Sequence, residues 1–269
     1  MLVSKDFIFL NFPKTGSSFV RASLKELNEE LSMYEKFFAR KRIVEVLLPS
    51  VRIRNRNHSK KDAHVIYYQL KEAQRRKHVY SVIRNPIHRM ISYYEYGFWK
   101  GEGDLPIKME ELKEMYAEFP NISFSEYLHL MNSKKVLSSL FPLIDFNECE
   151  LGFQSLFFLL FFLKDPSLFF KNADFSINLI RRSLGNVEFL YSEDLNNGLL
   201  ETLSNHGYKK EKIEFIRMAR RVNVSIGSEK PLDYYYSDDD LKFLIEKESL
   251  LFELFPSYAN HEIVKKVFS

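Results

Sequence analysis

The sequence predicts an α/β fold in which a parallel sheet is flanked by helices on both faces. Three observations carry this. Apolar runs of strand length occur near residues 7–12, 79–83 and 187–191. Helical signals follow each of them directly. No internal repeat, low-complexity tract or linker separates these units. A chain of 269 residues can bury a large core as one large or two small domains. With no linker in view, we expect one domain over 1–269.

The first run opens at Phe7 and stops at Pro13, and Lys14-Thr15-Gly16-Ser17-Ser18 follows. Val20, Leu24, Leu27 and Leu31 then mark the apolar stripe of a helix. A strand–loop–helix of this composition suits an anionic group. The glycine lets the backbone approach closely, hydroxyls and backbone N–H groups point inward, and the lysine adds a charge. A nucleotide-hydrolase loop requires Gly, four residues, then Gly-Lys-Ser/Thr. Here Lys14 precedes Gly16 and no second glycine stands before it.

Val79–Ile83 reads as a buried strand with Arg84 at its end. Asn85 suits a helix N-cap and Pro86 the first helical position. Ile87, Met90, Ile91 and Tyr94 form one apolar face. Ser92 falls roughly 140° around from Ile87, on another face. A strand-end arginine plus a hydroxyl on the next helix makes a second anion site.

Further along, Ser123 to Glu126 is a capping box opening a helix through Met131. Leu151–Leu163 is apolar but too short for a membrane span, which needs about 20 residues, and Gln154 interrupts it. It reads as a buried core helix rather than a membrane-surface helix. Val187–Tyr191 reads as a buried strand closed by Ser192-Glu193-Asp194, an N-cap signature. A helix over Leu199–His206 ends at Gly207. Ser237 caps a last long helix through Phe255, with Asp238, Asp239 and Asp240 in its first turn. Gly101–Pro106 is the best candidate for an exposed loop.

Hydrophobic content is 45% and charged content 28%, both ordinary for a globular fold. The abundance of Phe and Tyr suggests a well-filled interior. The single cysteine, Cys149, excludes an intrachain disulfide and implies no oxidising compartment. The first residues carry no basic n-region and no signal-peptide h-region, so a cytoplasmic protein without a transmembrane segment is expected. The net charge is +3, but positive residues cluster at Arg40–Arg42 and again at Arg52, Arg54, Arg56, Lys60 and Lys61. That second run reads equally as a solvated strand face or as a basic wall attracting an anionic ligand. No recognised nucleic-acid-binding module accompanies it, so no nucleic-acid partner is expected.

Taken together, the two anion-site segments resemble the PAPS-dependent sulfotransferases, whose donor is 3′-phosphoadenosine 5′-phosphosulfate. Pro13-Lys14-Thr15-Gly16-Ser17-Ser18 is similar to that family's 5′-phosphosulfate loop. Arg84-Asn85-Pro86, with Arg89 and Ser92, is similar to its 3′-phosphate motif. The resemblance is clear over residues 7–27 and 57–98 and weaker over 150–255. It is nearest to carbohydrate sulfotransferases, including the heparan sulfate 2-O-sulfotransferase branch. It implies a P-loop-like parallel sheet and transfer of a sulfuryl group to a carbohydrate or glycolipid hydroxyl, leaving 3′-phosphoadenosine 5′-phosphate (PAP). The basic run weakly favours an anionic acceptor.

The resemblance assigns roles residue by residue. Lys14 contacts the bridging and 5′-phosphate oxygens, and Thr15, Gly16, Ser17 and Ser18 cradle the same group. Arg84 and Ser92 bind the 3′-phosphate, which separates this donor from ATP. A sulfuryl group carries less charge than a terminal phosphate, so no metal is required in principle, and no acidic metal motif stands out. The base for the acceptor hydroxyl is His64, before the aromatic pair Tyr67-Tyr68, with His58 as second choice. Each histidine could instead be a polar surface or capping residue, and His88 could contact the donor or be exposed. Gln154 is expected beside the acceptor cleft. Arg221, Asn223 and Ser225 faintly match a late segment that closes over the donor. Two other readings stay open: a divergent P-loop kinase, and a catalytically silent sulfotransferase-like binding protein. The oligomeric state is not legible.

Overall fold

The computed structural model describes residues 1–38, 41–49, 61–101, 105–147, 149–172, 174–220, 230–259 and 264–265. They group into two compact units. One comprises residues 1–38, 41–49, 61–84 and 185–220. The other comprises 85–101, 105–147, 149–172, 174–184, 230–259 and 264–265.

The first unit is α/β. Its strands are β1 (Leu2–Val3), β2 (Phe7–Leu10), β3 (Val44–Glu45), β4 (Leu48–Pro49), β5 (Lys61–Asp62), β6 (His78–Ile83) and β7 (Glu188–Tyr191). Five of them form a sheet in the order β3-β1-β2-β6-β7, while β4 and β5 pair separately. Strands β2, β6 and β7 are parallel, with Leu10 opposite Ser81 and Ile83 opposite Tyr191. That half matches the expected parallel sheet. The whole sheet, however, is mixed, because β1 runs antiparallel to both β2 and β3. The cause is local. Only Ser4-Lys5-Asp6 join β1 to β2, and the Ser4 hydroxyl accepts the Phe7 N–H at 3.0 Å. So short a connection can only return antiparallel, since a parallel return needs a crossover of a dozen or more residues.

Every residue of β2 is buried, as are Val79–Ile83 of β6. Such near-continuous burial is the mark of strands covered on both faces. The predicted buried strand at 187–191 is instead an edge strand. Only Leu190 is buried in β7, and Glu188 and Tyr191 are exposed, because the strand ends the sheet order. On one face Phe7, Phe9, Tyr80, Val82 and Leu190 pack with two helices. One is Ser17–Glu30, through Phe19, Val20, Leu24 and Leu27; the other is Leu195–Asn205, through Leu195, Leu199 and Leu203. The stripe read from the sequence is the buried stripe. The second helix ends at Gly207, whose φ of 71° supplies the predicted left-handed stop.

In the second unit the described elements are helices. The capping box of Ser123 and Glu126 opens Phe124–Met131 as predicted. The apolar run contains Phe153–Phe162, with eight of ten residues buried, so it is a core helix. No helix among the described residues is long and apolar enough to cross a membrane. Asn85 caps Pro86–Tyr96 by accepting the Ile87 N–H at 3.0 Å. That helix was expected to bury one face, yet Arg89, Ser92 and Tyr93 are buried too. Arg89 tolerates burial through the Tyr93 hydroxyl, at 2.9 Å, and the electrostatic influence of Glu248.

The helix predicted from Ser237 through Phe255 is two helices, Asp238–Lys247 and Ser249–Leu254. The break falls at Glu248. There the Lys247 carbonyl accepts the Gly152 N–H at 2.7 Å, and the Glu248 carboxylate accepts the N–H groups of Gln154 and Ser155 at 3.0 and 2.7 Å. The chain leaves the helical path where it caps another helix. Gly152 is needed for this close approach, since a Cβ there would lie 2.6 Å from a Glu248 oxygen. Arg52 to Lys60 lie outside the described residues, and so do positions 102–104 of the expected loop.

Candidate active site

The loop after β2 has an unusual backbone. Lys14 has φ 64° and Gly16 φ 109°, and among the described residues Lys14 is the sole non-glycine with positive φ. A left-handed lysine costs about 1–2 kcal/mol, and strain of this kind concentrates at functional sites. Thr15 between them keeps a negative φ. Alternation of the sign of φ is the backbone pattern of an anion-binding nest. Gly16 is also the N-cap of Ser17–Glu30, where no side chain caps the helix and no acid occupies the first turn. The helix end therefore presents its N–H groups and positive dipole to the loop.

Glycine is needed at 16 for its φ and because an added Cβ would stand 2.8 Å from Leu195 Cδ2. Gly16→Ala should therefore destabilise the fold by about 1–2 kcal/mol, seen as a melting temperature lower by roughly 3–6 °C. An unchanged melt would contradict this conformation. The Thr15 hydroxyl is fully buried and donates to the Phe12 carbonyl at 2.9 Å, so it holds the loop's shape. Ser17 is buried and Ser18 half-buried.

Because β2 and β6 are adjacent and parallel, the loop and Arg84 emerge at the same carboxyl edge, the usual ligand edge of such sheets. Burial, and next the Arg84 guanidinium, lower the Lys14 ammonium to about 8. Two cations within electrostatic reach of each other form a place where an anion is stabilised. A lysine near 8 is also poised to hold or release a proton close to neutral pH.

His64 belongs to the same edge. Its Nδ1 lies 2.6 Å from the Asn11 carbonyl, just past β2. A carbonyl only accepts, so Nδ1 carries the proton and Nε2 is the ring's basic nitrogen. Two further bonds fix this segment. Asp62 accepts the His64 N–H at 3.1 Å, and the Asn11 amide donates to the Ala63 carbonyl at 3.2 Å. Asn11 is fully buried. Sequence reasoning passed over it, although it is the one polar residue in an apolar run.

Ser92 lies in the second unit, buried at 4% exposure on Pro86–Tyr96. Gln154, expected beside the acceptor cleft, is fully buried there and donates to the Pro86 carbonyl at 2.9 Å. His88 is half-buried. His58, Arg221, Asn223 and Ser225 lie outside the described residues. Compared with known proteins, the chain matches no protein-family model and no curated protein. The arrangement itself can bind an anionic group at a nest and helix end, neutralise it with Lys14 and Arg84, and set an imidazole beside the loop.

Proposed function

We propose that the protein is a sulfotransferase that moves a sulfuryl group from 3′-phosphoadenosine 5′-phosphosulfate to a hydroxyl of a carbohydrate or glycolipid. The observation that carries this reading is the pairing of Lys14 with Arg84 at the ends of adjacent parallel strands, beside a positive-φ loop that runs into an uncapped helix. The residue types at this edge fit the donor. The loop and Lys14 suit a phosphosulfate, and Arg84 offers the bidentate geometry that a phosphate monoester takes. The sequence similarity of both segments to sulfotransferase motifs supports the same assignment.

Transfer of a sulfuryl group between oxygens resembles phosphoryl transfer, so catalysis is mainly positioning and charge stabilisation. Lys14 donates to the oxygen that leaves with the 5′-phosphate. The N–H groups of residues 15–18 hold the equatorial oxygens. His64, protonated at Nδ1, takes the acceptor's proton at Nε2. Arg84 reads the 3′-phosphate; Ser92, to which the family resemblance gives the same role, belongs to the second unit.

Titration calorimetry with PAP and AMP tests the donor assignment. PAP is expected to bind about 10²-fold more tightly, given charge-assisted bonds to a second phosphate. Equal affinities would overturn the proposal.

A further inference from the structure

We propose that Gln154 and Tyr236 are positioning residues for 3′-phosphate recognition, clamping the first turn of Pro86–Tyr96 through the carbonyls of Pro86 and Ile87. The inference rests on the sulfotransferase reading, in which Ser92 on that helix contacts the phosphate.

The first turn is gripped from two directions. Gln154 Nε2 donates to the Pro86 carbonyl at 2.9 Å, and the Tyr236 hydroxyl donates to the Ile87 carbonyl at 2.9 Å. All four groups are buried. A helical carbonyl has a second lone pair, so these bonds add constraint without breaking the helix. Both clamps are tied to Glu248. Its carboxylate holds the Gln154 N–H at 3.0 Å, and the Ser155 N–H and hydroxyl at 2.7 and 2.8 Å. Tyr236 precedes Ser237, the N-cap of the helix Asp238–Lys247 that runs to Glu248. Arg89, on the clamped helix, is fully buried within the electrostatic reach of the same carboxylate.

Stability alone does not account for this network. Buried charge is often no more stabilising than apolar packing of the same volume. Gln154 Oε1 is buried and accepts no hydrogen bond among the described residues, so a methionine at 154 would pack without that penalty. What methionine cannot do is hold the Pro86 carbonyl. The glutamine therefore sets the orientation of the helix, and with it Ser92.

The test is PAP and AMP affinity in Gln154→Met and Tyr236→Phe, with melting curves for both. Each lost bond should weaken PAP binding about 3–10-fold and leave AMP binding unchanged, so the PAP/AMP ratio falls. In a Ser92→Ala background the same changes should have little further effect on the ratio. A purely structural role predicts altered melting with an unchanged ratio. That result in both variants overturns the inference, and Tyr236→Phe, which removes one hydroxyl, decides the matter if Gln154→Met does not fold. A wild-type protein that fails to prefer PAP removes the sulfotransferase reading itself, which separates the two failures.

Discussion

Lys14→Ala should lower kcat for sulfuryl transfer by about 10²–10³-fold, the range found when one donor to a developing oxyanion is removed, while the fold persists. The native lysine is held in a left-handed backbone, partly desolvated and close to Arg84. Alanine relieves the last two and keeps the first. The sign of the pH effect agrees. Burial and Arg84 bring Lys14 down to about 8 in the folded chain from the ordinary lysine value of 10.5, so between those values the unfolded chain holds more protons and native stability rises with pH. Below about pH 8 the buried ammonium disfavours the fold, and the alanine variant should melt no lower than wild type. Loss of turnover without loss of stability is expected of a residue kept for function.

The same titration predicts how donor binding depends on pH. Above pH 7 the phosphates of PAP are already ionised. Below about 8 Lys14 is charged and affinity should be flat. Above about 8 binding must also supply a proton, and affinity should fall by up to tenfold per pH unit. Lys14→Ala should flatten that dependence. Calorimetry in two buffers of different ionisation enthalpy would show proton uptake with wild type and none with the variant. If Lys14→Ala transfers sulfate nearly normally, the leaving-group role is wrong.

His64→Ala should reduce turnover by about 10²–10⁴-fold, the usual contribution of a positioned base, with PAP affinity unchanged. The geometry argues for a loss in kcat alone. The Asn11 carbonyl fixes the tautomer and Asp62 fixes the backbone, so the ring is oriented before any acceptor arrives. Single-turnover transfer with saturating donor measures the effect. Normal transfer by the variant would remove His64 from the mechanism, and weakened PAP binding would show that it serves the donor site instead.

Elements with local causes were legible in the sequence. The Phe7 and Val79 strands, the Asn85 cap, the Ser123 capping box, the Ser237 cap and the Gly207 stop each depend on neighbours within a few residues. Side-chain periodicity and capping chemistry are local, so they survive in a one-dimensional reading. Elements set by distant partners were misread. Nothing near Glu248 announces that its carboxylate caps a helix 93 and 94 positions away, so the last helix looked continuous. Asn11 and Tyr236 escaped for the same reason.

The loop residues, the strand-end arginine and the hydroxyl on the next helix were determined by the sequence itself, because spacing and residue type carry them. Tertiary structure decided that the β1 edge is antiparallel, that β7 is an edge strand, and that Arg89 and Gln154 are buried. It also decided that the Lys14 charge is weakened by burial and by Arg84, and that His64 keeps Nε2 as its basic nitrogen. These properties depend on dielectric surroundings and on hydrogen bonds that chain folding alone brings together.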